Sequence, residues 1–469
     1  MCFFLLCCLA PGLLRAGIRM PAIFGDNMVL QQRTQAALWG WARPGSTVRV
    51  TTSWNRQKYT VSTGAQGQWK LGITTPAAGG PFEIEISDGE PLIIRNILIG
   101  EVWFCSGQSN MEMPMKGFRD QPVSGSNDAL FAAANPQLRL YTVPRAVERL
   151  VKDTSKASPW KEATPANAGN FSATAYFFGK LLQEHLHVPV ALINDSYGGS
   201  PAEAFMSAES LQAFPEISLP AATGTEKLSN KSATTLYNGM IHPLAGYTIK
   251  GCIWYQGESN QDRPDQYEKL FPAMVALWRR EWGQGDFPFY FAQIAPFNYG
   301  SYPGNKTEKM NSAYLRDAQR KALHRIPASG MVVLMDKGEE NSIHPADKSV
   351  VGKRFAYLAL ADTYRFSGYA FQSPDMDSLA VSGNIATVRF RYAPNGLTAF
   401  GQTLQQFEIA GADKHFYPAQ AVIRNGTVQV SSSLVPNPVA VRYAFKDFIK
   451  GELFSTEGYP VSSFRTDDW

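Results

Sequence analysis

Cysteine is scarce in this chain: five residues in 469, with Cys2, Cys7 and Cys8 all in the first ten positions. The two others, Cys105 and Cys252, lie in apolar, strand-like runs. A disulfide framework is therefore excluded, and buried free thiols are expected. An excess of charge of one sign is missing too. Forty-four Lys and Arg face 40 Asp and Glu, leaving +4 spread along the chain, with no dense basic block of the kind that binds nucleic acid. No apolar run is long enough to span a bilayer. Spacings of structural-zinc type are absent, His185-Leu-His187 being only a weak pair, so no metal and no cofactor are expected. Internal repeats and heptads are absent as well.

The chain does contain a short apolar start, Met1 to Ala10, followed by Pro11-Gly12 and Arg15. Residues 1–17 read as a signal-peptide-like segment that lacks a charged leading part, and export to a periplasmic or extracellular space is the expectation. The remaining length is too great for one core. Residues 18–100 show short alternating strands, such as Ser46 to Thr51 and Phe82 to Ile86, cut by Pro44-Gly45, Gly79-Gly80 and Asp88-Gly89. This pattern predicts an N-terminal β-sandwich. From 101 to 364 strands and helices alternate, which predicts an α/β unit with a parallel sheet covered by helices on both faces. Helices are expected over Ser172–Leu186, Tyr267–Trp282, Ser312–His324 and about Ala346–Tyr364. Strands are expected over Glu101–Cys105, Val188–Asn194, Ile249–Tyr255, Phe289–Ile294 and Met331–Met335. Ser200, Pro201 and Glu203 have the spacing of a capping box and predict a further helix start. From 365 to 469 a period of two returns, with a hairpin at Asn425-Gly426, and predicts a second β-module.

Chemistry is expected where the strands of the α/β unit end. Glu101-Val-Trp-Phe-Cys105 is followed by Ser106-Gly-Gln-Ser109-Asn110, and Gly107 permits a sharp turn that places Ser109 at the sheet's carboxyl edge, where such folds bind ligands. A serine nucleophile needs a base for its proton and donors for the oxyanion. The Gly198-Gly199 turn offers backbone donors, Gln256 or Asn260 a side-chain amide, and His344 a base. Of six histidines, His185, His187, His324 and His415 fall in structural contexts, whereas His242, which also precedes a proline, competes with His344. The Gly-x-Ser-x-Gly elbow of lipase-type hydrolases is absent around Ser109.

Taken together, the blocks Phe24-Gly-Asp-Asn-Met-Val-Leu-Gln31, Gly100-Glu-Val-Trp, Ser106-Gly-Gln-Ser-Asn-Met-Glu112, Tyr197-Gly-Gly-Ser-Pro-Ala-Glu203, Trp254-Tyr-Gln-Gly-Glu-Ser-Asn260 and Ile343-His-Pro345 resemble the SGNH hydrolases. Within them they resemble the sialate O-acetylesterase family. The resemblance extends into the tail through Asn437-Pro-Val-Ala-Val-Arg-Tyr443 and Phe464-Arg-Thr-Asp-Asp-Trp469. It implies an SGNH-hydrolase-like sheet flanked by β-modules, and a carbohydrate O-acetylesterase acting on an O-acetylated sugar. It also implies Ser109 as nucleophile, His344 as base, Ser109, Gly199 and Gln256 as oxyanion donors, and Asn110, Glu258 and Asn260 against substrate. One departure concerns the acid that orients the histidine. Related enzymes carry an aspartate three residues before it or nearby, where this chain has Asn341 and Ser342. Asp336, which ends a strand, is the first replacement, with Glu339, Glu340, a backbone carbonyl or a Ser-His dyad as alternatives. Acetylated plant or microbial glycans are the alternative substrates, and a carbohydrate-binding protein with little turnover is the rival of another class.

Overall fold

The structure is a computed structural model that describes residues 17–301 and 312–469. The signal-peptide-like segment thus lies almost wholly outside the described residues.

One strand organises the molecule. Pro91–Gly107 runs for 17 residues and is buried without interruption from Ile97 onward. Its first half belongs to an antiparallel layer with Gly79–Ser87, which also pairs Thr47–Thr52, itself paired with Lys58–Ser62. A second antiparallel pair, Gln35–Trp41 with Gln68–Thr74, contributes Leu38, Trp69 and Ile73 to the same core as Val48, Val50, Ile84 and Ile86. Alternation of apolar and polar residues makes these strands half-buried, as their sequence period requires.

The second half of that strand enters a parallel sheet. Its spatial order is Ser329–Val332, Phe289–Ala292, Gly251–Tyr255, Pro91–Gly107, Val190–Ser196 and Asn135–Thr142, all parallel, with Lys161–Ala163 antiparallel at the edge. Chain order reverses around the central strand. Its neighbours are Val190–Ser196 on one side and Gly251–Tyr255 on the other, so the loops after these three strands meet at a topological switch point. Gly107 marks this point. Its φ is +146°, and a Cβ there would lie 2.1 Å from the Tyr255 carbonyl oxygen, so only glycine lets the adjacent strand pass so close.

Helices cover both faces. Ala173–Leu186 is capped by Ser172, whose hydroxyl accepts from the Ala175 N–H, and packs with Lys348–Asp362 on one face. Pro264–Trp282 and Ala313–Ala322 pack together on the other. Trp103 and Cys105 fall in one core and Phe104 and Cys252 in the other, so the two thiols lie on opposite faces of the sheet and are both free and buried.

The predicted helices and strands of this unit are present to within a few residues, with two exceptions: the strand expected over Glu101–Cys105 begins ten residues earlier, at Pro91, and the helix expected at Ser200 is absent. Ala202–Phe205 is only a 3₁₀ turn without a side-chain cap, because the Glu203 carboxylate is drawn to Asn260 and Arg263 instead of folding back on Ser200. Two strands escape the sequence pattern, Asn135–Thr142 and Lys161–Ala163. A buried arginine, Arg139, interrupts the apolar run of the first and is held by Glu162 of the second at 3.1 Å.

After residue 365 come two four-stranded antiparallel sheets. One contains the hairpin Gln420–Arg424 to Thr427–Ser431, whose turn residues Asn425 and Gly426 both have positive φ. The tail docks on the helix Ala313–Ala322. Arg316, fully buried, donates to Ser463 Oγ at 3.0 Å and to the carbonyls of Lys446 and Asp447, and Arg465 pairs with Asp317 at 3.1 Å. Gln293, one residue past a sheet strand, reaches Ser462 at 2.8 Å. The last residues are thus tied to the sheet through hydrogen-bonded, water-excluded groups, whose loss is costly.

Candidate active site

Ser109 opens a single helical turn, Ser109–Glu112, directly after the central strand. The side chain is partly exposed, and its hydroxyl makes no hydrogen bond among the described residues. Against it lies Gly198, where a Cβ would come 3.2 Å from the Ser109 Cβ and 2.9 Å from Glu112 Oε2. A side chain at 198 would therefore push on the serine itself. The turn is held from two sides. Glu112 accepts from the Gly198 N–H at 2.8 Å and from Arg145 Nε at 2.6 Å, and Asn230 donates to the Gly198 carbonyl at 2.7 Å. Burial lowers and hydrogen bonding raises the Arg145 guanidinium; the bond to Glu112 is the largest cause, and the net shift is upward. Gly199 follows in the left-handed region at φ +72°. Neither its N–H nor that of Ser109 meets an acceptor among the described residues. Two unpaired donors at one helical start and one glycine turn, beside one serine, are what an oxyanion requires.

Asn110 joins the loops behind the serine. Its amide nitrogen donates to Glu258 Oε1 at 2.5 Å and to the Ile343 carbonyl at 3.0 Å, and its oxygen accepts from Lys348. The Ile343 contact draws the loop that carries His344 back from the outermost parallel strand to the switch point. Lys348 is almost wholly buried, and desolvation pushes its ammonium down to about 7, opposed by the attraction of Glu258, Glu339 and Asp347. Burial pushes the Glu258 carboxyl up, offset by its bond to Asn110 and by Lys348. Its second oxygen has no partner among the described residues.

His344 is held at Nδ1 by Gln121 Oε1, 2.5 Å away, and meets the edge of the Phe118 ring at 5.3 Å between centroids. Burial, followed by the charge of Lys348, pushes its ring down to about 4. It does not hydrogen-bond Ser109 directly, a contact that commonly tightens only when substrate seats. His242 is elsewhere, its Nδ1 3.1 Å from the Lys152 carbonyl and its ring against Tyr237.

Several expectations from the sequence are corrected here. Asp336 does not orient His344. Its two oxygens are taken by Arg354 in a bidentate pair at 2.8 Å each, a geometry that satisfies both ions. Glu339 accepts from the Ala346 N–H at 2.7 Å, Glu340 is exposed, and Ser342 turns its hydroxyl to the His344 carbonyl. Gln256 is not a free oxyanion donor. It is fully buried, and its amide hydrogens go to the Ser200 carbonyl at 3.2 Å and to Asn260 at 2.7 Å, while Tyr267 donates to its oxygen. Asn110, Glu258 and Asn260 are buried as well, and apart from Glu258 Oε2 their side-chain polar atoms bind protein partners. Asn260 bonds Glu203, Ala202 and Gln256. Glu112, Gln121, Arg145 and Lys348 are the site residues that sequence reasoning missed. Glu112 stood inside a quoted block, and Lys348 stands four residues after His344, at the first position of the helix Lys348–Asp362. Gln121 and Arg145 carry no local signal, since only the fold brings them in.

A parallel sheet with a serine, a Gly-Gly turn and a histidine loop gathered at its switch point defines an SGNH-like ester hydrolase. The family model described as carbohydrate esterase, sialic acid-specific acetylesterase, matches residues 99–361, and the chain belongs to that family. Sialate O-acetylesterase of Homo sapiens is 31% identical over 392 residues, covering 76% of this chain and 73% of that protein. Sialate O-acetylesterase of Mus musculus is 28% identical over 492 residues, covering 92% and 90%. A crystal structure of a carbohydrate acetylesterase from Xanthomonas citri superposes with a TM-score of 0.86 at 36% identity, over 96% of this chain and 100% of that one. The chain is thus a carbohydrate esterase.

Proposed function

We propose that the protein removes O-acetyl groups from carbohydrate through an acetyl-serine intermediate on Ser109, at an exported location. The observation that carries this reading is the setting of Ser109. A partly exposed hydroxyl stands just past the end of the central strand, and two backbone N–H groups without partners among the described residues, its own and that of Gly199, stand beside it. His344 removes the serine proton as Oγ attacks the acetyl carbonyl, the N–H groups receive the developing oxyanion, and the protonated ring gives its proton to the departing sugar hydroxyl. Water then repeats the sequence and frees acetate. One backbone donor to an oxyanion contributes about 3 to 4 kcal/mol in the transition state, so the rigidity given to the glycine turn by Glu112 and Asn230 is part of the catalytic device.

The relatives' names point to O-acetylated sialic acid, whose carboxylate calls for a cation. Arg145 meets that need. Its side chain is 55% exposed, its guanidinium lies over the Tyr197 ring at 4.7 Å, and Glu112 uses only its Nε. Acetate release from O-acetylated N-acetylneuraminic acid and from acetylated xylan tests this choice. The expected result is a preference for the sialic acid of about tenfold or more in kcat/KM, matching one charge-assisted contact, and its loss in Arg145→Ala. The reverse ranking assigns the site to neutral plant or microbial glycans.

A further inference from the structure

We infer that Gln121 is the positioning residue for His344: its side-chain oxygen fixes the imidazole proton on Nδ1 and leaves Nε2 as the base, in the place that an aspartate holds in related esterases. This inference rests on the reading of His344 as the general base.

The Gln121 amide turns its oxygen to the ring at 2.5 Å, and because an amide oxygen only accepts, this orientation puts the proton on Nδ1 of His344. The other nitrogen is then unprotonated, the form a base needs. The turn that presents Gln121 is tightly built. Gly117 has φ +81° and Asp120 φ +60°, the Gln121 N–H returns to the Phe118 carbonyl at 3.1 Å, and a Cβ on Gly117 would meet the Gln121 carbonyl oxygen at 2.4 Å. Phe118, on the same turn, packs its ring against the imidazole. The turn is anchored by Met115 and Lys116, whose N–H groups bond the carbonyls of Phe171 and Gly169. Two side chains of one stiff turn therefore set the plane and the tautomer of the ring.

The carboxylates near the ring are committed elsewhere or exposed: Asp336 to Arg354, Glu339 to the Ala346 N–H, Asp347 to Lys337 and the start of its helix, Asp120 to Arg119 and solvent, and Glu340 to solvent. The charge acting on the ring is that of Lys348, which itself faces Glu258 across Asn110, and Glu339 and Asp347 from the loop. A neutral partner enforces the tautomer without stabilising the imidazolium. This agrees with a ring pushed down to about 4 by burial and Lys348, with no carboxylate opposing them. It also gives a base weaker than a triad histidine, sufficient for an ester.

The test is the pH profile of kcat/KM on an aryl acetate for the full chain and for Gln121→Glu, Gln121→Ala and Gln121→Met, with His344→Ala run in parallel. In Gln121→Glu a carboxylate replaces an amide of the same shape, and the acid limb is expected to rise by about one to three pH units. In Gln121→Ala and Gln121→Met kcat is expected to fall about 100-fold, less than the roughly 10⁴-fold seen when a serine-protease triad is given the wrong tautomer, with KM little changed. A merely structural glutamine would move no limb when exchanged for glutamate. If His344→Ala is inactive while the Gln121→Glu limb stays in place, or while Gln121→Ala and Gln121→Met keep wild-type kcat, the inference about Gln121 is overturned alone. If His344→Ala stays active, the reading of the base beneath it fails instead.

Discussion

Ser109→Ala is expected to reduce aryl-acetate hydrolysis by about six orders of magnitude, the scale on which a serine protease loses kcat with its nucleophile. Without the hydroxyl no acetyl-enzyme forms, and the glycine turn and histidine act only on water. The fold should be unaffected. Ser109 is partly exposed and its hydroxyl makes no hydrogen bond among the described residues, so the exchange leaves no buried polar group unpaired. It also adds no volume against Gly198. Steady-state rates at high enzyme concentration, with thermal unfolding of both proteins, measure the two halves of this expectation. Wild-type turnover in the variant would move the nucleophile elsewhere.

His344→Ala is the second large effect, with a loss similar in scale because nucleophile and base act as one unit. His242→Ala should leave the rate within about threefold, since that ring only touches the Lys152 carbonyl and Tyr237 and does not reach the switch point. The pH dependence has a definite sign. The base acts in its neutral form, and its ring is held below the ordinary histidine value, at about 4. The kcat/KM of the wild type should therefore stay level from neutrality down to about pH 5 and fall only as pH drops through about 4. An acid limb at the ordinary histidine value of about 6.5 would place the proton on another group, or would show that Lys348 and burial do not govern this ring.

How much of this was legible in the sequence follows from distance along the chain. Strand ends marked by glycine could be read directly: a Cβ at Gly107 would strike the Tyr255 carbonyl, one at Gly198 would crowd Glu112 and Ser109, Gly199 takes a left-handed φ, and the residues next to them form the site. The helices around the sheet were readable from their period, and the structure adds caps such as Ser172. Polar side chains were misread where tertiary partners outbid local ones. Glu203 fits a capping box by spacing, yet Asn260 and Arg263 take its carboxylate. Gln256 and Asn260 look like donors awaiting substrate, but burial beside each other turns them into a closed network. Asp336 lies near the histidine in sequence, in a turn past the strand Ser329–Val332, but Arg354, 18 residues on, takes its carboxylate from the helix that follows. Gln121 was invisible because its partner is remote in sequence. It lies 223 residues from His344 in an unremarkable turn, and only the reversal of strand order brings the two together.

The central claim is that Ser109 carries the acetyl group during turnover. Rapid acid quenching of the wild-type enzyme while it hydrolyses an aryl acetate, followed by digestion and mass spectrometry of the peptides, tests it most directly. The account predicts an acetyl ester on the peptide containing Ser109, absent from Ser109→Ala and from enzyme quenched after the substrate is exhausted. An acetyl group on a different residue that decays as the substrate runs out, or turnover with no acetylated peptide at any quench time, would contradict it.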